Sequence, residues 1–448
     1  MRKSEIAFVF ALVALLAGAL TFDNILPTAP RAVPGVSFES SLSTGWYCPA
    51  PSSEEFSSVM STTNHSESPV TLRRWSVGQA QSSSFLESVL EGHRRVQVAV
   101  KDLNIPSATA LAEVFGGVTS ADLTVTKDGG LATSACTVQP WDKWYFSIAS
   151  TSRDQDTRLL VSNPFEEEAV IRVRQFLPDR QVSPSLLKRV VIPQLSQATI
   201  DLKEFIPATP SFGLEVIATV GRVIVSRLSR NGGISLNVGI RNPSSRWLLP
   251  GGQVPSAGEE LLVITNPSDK ESLVHVAFQT DEQRLEPGPL QELAVAAGRQ
   301  LTIKVSDHLP RGAKHSASVT SVNEVPLVVE RQIFGEGFEN IFGVSASKRR
   351  WSVSVGTAAG AETITILNDS QIDATVRIAL ITEGAESRPP ELANLQIGPG
   401  GRLSVSLDGL LSAPSTAVVE ALSGQIVIER RLGGQSDFTS STGIALPD

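Results

Sequence analysis

From about residue 45 onward, apolar and polar positions alternate in short runs broken by Gly, Pro, Asn and Asp. Val274, Val276 and Phe278 enclose His275 and Ala277, and Val376, Ile378 and Leu380 enclose Arg377 and Ala379. Successive side chains of a strand point to opposite faces, so a period of two predicts strands with one buried face. On that reading His275 faces solvent. No stretch of helical period competes with this pattern. The exception to the alternation is the run 6–22, which has no charge and follows Arg2 and Lys3. Crossing a bilayer takes about 20 apolar residues, with a lower limit of about 17. Two readings stay open: a secretory signal cut near Ala17-Gly18-Ala19, or an uncleaved anchor helix with its N-terminus inside. Both put the rest of the chain outside the membrane. Residues 23–45, with Pro27, Pro30, Pro34 and several Ser, read as an extended linker.

The runs recur with a period of about one hundred residues. Trp46, Trp144, Trp247 and Trp351 are spaced 98, 103 and 104 apart, and Asn64, Asn163, Asn266 and Asn368 follow at 99, 103 and 102. A strand-like run precedes each of the later Asn, as in Leu261-Leu262-Val263-Ile264, and an alternating run comes after it. Later units close on Val-rich or Ile-rich runs ending in Arg227, Arg331 and Arg430, whereas the first closes on Cys136. A recurring unit is the mark of a repeat architecture. About seven short strands per hundred residues, separated by turn residues, predict an immunoglobulin-like sandwich. The expected fold is therefore all-β: four tandem immunoglobulin-like β-sandwich repeats behind an N-terminal signal or anchor. Its expected parts are 1–22, the linker 23–45, and sandwiches at 46–140, 141–243, 244–347 and 348–448.

Cys48 lies in the first strand of its unit and Cys136 in the last, and such strands are commonly neighbours. In an oxidising compartment the pair predicts a disulfide. The recurring Arg reads as a rim salt bridge or inter-domain contact, with repeated anion or glycan contacts as the functional alternative.

The Trp46-Tyr47-Cys48-Pro49 start, the Trp144-Tyr145-Phe146 element, the segment from Leu160 to Phe165 and the Val329-Glu330-Arg331 ending together resemble a family of secreted or membrane-anchored actinobacterial proteins of unknown function. The resemblance runs from about residue 45 to the end. It implies an exported all-β protein of the cell envelope, and it brings no catalytic residues with it.

Composition narrows the chemistry. The net charge of −8 argues against nucleic acid as a partner, which requires basic patches. The five His (His65, His93, His275, His308 and His315) stand at unrelated positions, and no Gly-x-Ser-x-Gly elbow accompanies them. The spacing of His308 and His315 fits no common metal motif. Glu54-Glu55, Glu166-Glu167-Glu168 and Glu259-Glu260 read as solvated faces rather than paired catalytic acids. Asp269 and Asp369 read as turn caps. No cofactor, metal or catalytic set is expected. Trp75 and Trp141 fall outside the repeat and are the candidate binding residues, since exposed Trp stacks on sugars or anchors protein partners. These features point to a non-catalytic extracytoplasmic scaffold or interaction module, held at the membrane by its first segment if that is uncleaved, with an envelope protein or glycan as partner. A cell-wall carbohydrate-binding protein is the alternative, and a hydrolase with an inter-domain site is a third reading.

Overall fold

A computed structural model describes residues 43–447 except 106, 358–359 and 434–437. The expected signal or anchor at 1–22 and nearly all of the linker lie outside the described residues. Among these residues the chain is all-β, with no α-helix and no helix long and apolar enough to cross a membrane. Ser43, Thr44 and Gly45 are expected in the linker. They belong instead to the first strand, where Ser43 pairs with Phe115.

The first unit shows the plan. Its strands are β1 (Ser43–Pro49), β2 (Ser57–Asn64), β3 (Val70–Gly78), β4 (Gln81–Ser82), β5 (Leu86–Leu90), β6 (Arg94–Ala99), β7 (Thr109–Phe115), β8 (Thr119–Lys127) and β9 (Gly130–Ala135). One antiparallel sheet runs β1-β7-β3-β4, with β5 also on β3, and the other runs β6-β2-β8-β9. The same two orders recur in 143–238, 246–342 and 350–446, where the last unit adds Ile444–Leu446 on Arg350–Val355. Each unit thus has nine or ten strands rather than seven. Apart from β5, the extra ones are ladders of two or three residues, such as Gln181–Val182 and Val190–Ile192, too short to display a period.

An apolar cluster fills each sheet pair. The recurring Trp is buried in all four, and its indole N–H is satisfied at the start of the strand equivalent to β8. Trp46 donates to Thr119 Oγ1 at 3.1 Å, Trp144 to the Val223 carbonyl at 2.9 Å, Trp247 to Leu327 at 3.0 Å and Trp351 to Ile426 at 2.8 Å. The recurring Asn is a clasp. The Asn368 amide donates to the carbonyls of Ile372, Ile397 and Gly398 at 2.8 to 3.0 Å, and its Oδ1 accepts from Ser370 N at 3.0 Å. Asn64, Asn163 and Asn266 repeat the arrangement. A buried amide that satisfies otherwise orphaned carbonyls is costly to replace, because each unmet group costs about 1–3 kcal/mol.

The units do not lie in a row. Gln197, Gln300, Arg402 and Arg95 occupy one position of the repeat, as strand register places them, and each reaches the preceding unit. Gln197 donates to the Ala50 carbonyl at 2.7 Å, and Gln300 to the Ser147 carbonyl at 2.6 Å. Arg402 donates to Ser316 Oγ at 3.3 Å. Arg95, in the first unit, reaches Ser354 of the fourth at 3.4 Å, beside a Thr63–Thr416 hydroxyl contact of 2.7 Å and a Ser120–Ser352 contact of 2.9 Å. Four equivalent joints therefore close a ring. At its centre the strands Gly130–Ala135, Ile234–Val238, Phe338–Phe342 and Phe438–Thr442 pack each against the next and the last against the first.

Candidate functional site

The largest concentration of buried charge lies at the joints, and the recurring Arg is its core. Arg227, Arg331 and Arg430 are each fully buried, so of the two expected arrangements, a rim salt bridge or an inter-domain contact, the exposed rim is corrected. Their strands face the neighbouring sheet pair instead of water. Arg227 Nη1 pairs with Glu330 Oε2 of the next unit at 2.7 Å, and that carboxylate also accepts from Ser147 N at 2.7 Å. Arg331 pairs with Glu429 of the next unit and with Glu339 at 2.8 Å. Arg430 bonds Glu362 at 2.5 Å within its own unit. The first unit has Leu123 at this position, because Met60 pairs with Leu123 as Leu262 pairs with Arg331. Cys136 is therefore not the counterpart of the Arg: it follows β9, one strand later.

The residue before each of these positions completes the pattern. Glu330, Glu429 and Asp122 take the acid role, and Ser226 stands there in the second unit. Asp122 accepts from Ser354 Oγ at 2.6 Å across the joint between fourth and first units. Burial raises the Asp122 carboxyl above its ordinary value, outweighing the pull of Arg95, the Ser354 bond and Arg430. Burial likewise raises Glu330 despite Arg227. Arg331 behaves oppositely: burial disfavours its charge, but Glu429, Glu339 and Glu260 hold it more firmly protonated.

Glu259 and Glu260 are neighbours in one strand, but their side chains point to opposite faces. Period two sends Glu259 outward to Lys304, Arg311 and Ser306 and sends Glu260 into the interior, so the solvated-face reading fails for Glu260. Burial alone would raise the Glu260 carboxyl, but His315 Nε2 at 3.2 Å and Arg331 hold it below its ordinary value. Glu54, Glu55 and 166–168 are exposed. Asp369 does not cap its turn. Asn368 and Ser370 do that, and Asp369 takes both arms of Arg246 at 2.7 and 2.5 Å.

His65 and His93 come together between the first and fourth units, His315 is buried in the third, and His275 and His308 are half-buried. His275 is thus less open than the alternation implied. Among the described residues no group of three or more His, Cys, Asp and Glu is placed to hold a metal ion.

Trp75 and Trp141 lie on different units. Trp75, half-buried in β3, meets the exposed Phe85 edge-on at 5.0 Å. Trp141 packs against the second core with Arg241 over its ring at 5.6 Å. Cys48 and Cys136 form a disulfide with Cα atoms 4.8 Å apart, beside a Tyr47–Thr137 bridge between β1 and the segment after β9.

No curated protein matches the chain. Among solved structures, Thermotoga maritima 1070 is 18% identical, with 24% of this chain and 97% of that one covered and a TM-score of 0.21. The Anabaena sensory rhodopsin transducer is 21% identical over 21% of this chain and 99% of its own, with a TM-score of 0.18. Streptomyces avermitilis α-L-rhamnosidase complexed with L-rhamnose is 8% identical over 89% of this chain and 54% of its own, with a TM-score of 0.15. Two overlapping segments, 103–328 and 241–444, match one described family. The chain belongs to that family, the family of unknown function DUF5719.

Proposed function

We propose that the chain is a non-catalytic extracytoplasmic scaffold that presents a protein-binding edge, built from four immunoglobulin-like sandwiches closed on one another. The fold reading rests on the pairings β1-β7-β3 and β2-β8-β9, which follow the B-E-D and C-F-G orders of that sandwich, with β6 added beside β2. The disulfide supports an oxidising compartment. Buried acids and Arg that would otherwise suggest chemistry are engaged with one another, between units as in Arg227–Glu330 or within one as in Arg430–Glu362.

One observation carries the interaction reading. On the first unit Phe85, Leu86 and Val89 are 62, 48 and 65% exposed on or beside the edge strand β5, against Trp75. Natural proteins usually blunt such an edge, since its free backbone and apolar side chains invite pairing with another chain. The partner class is an envelope or extracellular protein. A photo-crosslinking residue at Val89, in intact cells, should capture such a protein. The same probe at Val191, the equivalent position of the second unit, should not. Equal capture at both sites, or capture of cytoplasmic proteins alone, contradicts the proposal.

A further inference from the structure

The joint between the third and fourth units and the joint between the fourth and first are built on the same positions, but their charges differ. In the former, Arg246 precedes the unit's Trp and is neutralised by Asp369, the residue after the clasp Asn. Only about 40 Å³ stays open there. In the latter, Arg350 takes the place of Arg246 and His65 takes the place of Asp369. The cavity opens to about 250 Å³.

The other charges on the wall are matched. Glu420 takes Arg377 at 2.7 Å, and Glu386 takes Arg388 at 2.5 Å and His93 at 2.9 Å. Among the described residues Arg350 has one long contact, Nη1 to the Pro447 carbonyl at 3.4 Å, and its buried Nε has no partner. His65 is 5% exposed, shares a hydrogen bond between Nε2 and Ser120 Oγ at 2.8 Å and, among the described residues, leaves Nδ1 buried and unpartnered. Burial, then Arg350 and His93, push His65 down to about 3, so it is neutral at physiological pH and cannot stand in for the acid or add positive charge. His93 sits at φ 51°, where the third and fourth units place Gly298 and Gly400 at 65° and 64°. The second unit keeps a side chain there too, Leu195 at φ 44°.

We propose that this seam cavity binds a small monocarboxylate whose carboxylate takes, on Arg350, the place that Asp369 takes on Arg246. Among the described residues of the wall, three Arg against two Glu leave one unbalanced positive charge, which suits a monoanion. The planar fork of Arg suits a carboxylate. The proposal goes beyond the scaffold reading and does not depend on it.

The test is calorimetric titration of the full chain at neutral pH with acetate, lactate and glucuronate, with inorganic phosphate and glucose as comparisons. At least one carboxylate should bind, one per chain, and Arg350→Gln should weaken it about tenfold or more. His65→Asp restores the internal acid. It should abolish binding while raising the melting temperature, which separates a filled site from an unfolded chain. Three results overturn the proposal: no carboxylate binding up to about 10 mM, binding that survives either substitution, or phosphate binding as tightly as the best carboxylate.

Discussion

At the residue scale, the buried charges are held by few partners and are sensitive to their loss. Removing one member of a buried pair leaves the other charged and desolvated, which costs about 3–5 kcal/mol. Arg331→Met leaves Glu429 and Glu339 without their cation and is expected to lower stability by about that much in chemical unfolding. Glu166→Gln, on an exposed face, should change it by less than about 0.5 kcal/mol. The titrating groups give a pH signature. His65 has a folded value near 3 against an ordinary 6.5, so the unfolded chain binds more protons between those limits. Stability from this group is present above about pH 6.5 and is lost as pH falls toward 3. Glu260, also lowered, acts in the same direction below its ordinary 4.5. Asp122 and Glu330, both raised, act the opposite way, losing stability as pH rises through the interval above their ordinary values. His65→Gln is therefore expected to flatten the loss of melting temperature between about pH 6.5 and 4. An unchanged slope would contradict the assigned burial.

At the element scale, the repeat was legible wherever one residue does the same local job four times. Trp and Asn recur because each satisfies buried polar groups inside its own sheet pair. The recurring Arg was also visible, but its burial was not, since a strand's alternation does not reveal that its second face meets another unit. Two-residue ladders such as Gln81–Ser82 left no pattern at all. Register exposes a relation the spacing concealed. Cys48 and Cys136 correspond to Phe146 and Gly239 in the second unit, where the Tyr145–Ile240 bridge matches Tyr47–Thr137. A Cβ on Gly239 would meet the Phe146 ring at 2.8 Å, so ring and disulfide fill the same space by different means. The double variant Phe146→Cys with Gly239→Cys should form a second disulfide, read as the loss of two free thiols by mass spectrometry. Gly239→Cys alone should destabilise by overpacking, about 1–3 kcal/mol.

At the scale of the whole molecule, the ring was not legible in the sequence. Its joints are made by Gln197, Gln300, Arg402 and Arg95, polar residues of different types whose partners lie in another unit. Their partners stand 147, 153 and 86 positions away, and for Arg95 259, no apolar periodicity marks them, and their equivalence appears only through strand register. Closure explains why the first and fourth units differ from a simple repeat. The first carries the disulfide, Leu123 in place of Arg, and the two His at the seam. The fourth adds the strand Ile444–Leu446, and Ile444 packs against the first unit's core. Loss of the disulfide through Cys48→Ala with Cys136→Ala removes a cross-link spanning 88 residues. It is expected to cost about 4 kcal/mol by chain entropy, measured as a shift in the unfolding midpoint.

Closure itself can be tested covalently. Thr63 and Thr416 are separated by 353 positions, yet their hydroxyls lie 2.7 Å apart across the joint between the first and fourth units. That places their Cβ atoms near the span of a disulfide, about 3.5–4.5 Å. In the full chain bearing Thr63→Cys and Thr416→Cys, mild oxidation should link the two segments into one peptide pair on non-reducing mass mapping, at monomeric mass. If both new thiols stay free, or link only between separate molecules, the four units do not close and the ring is wrong.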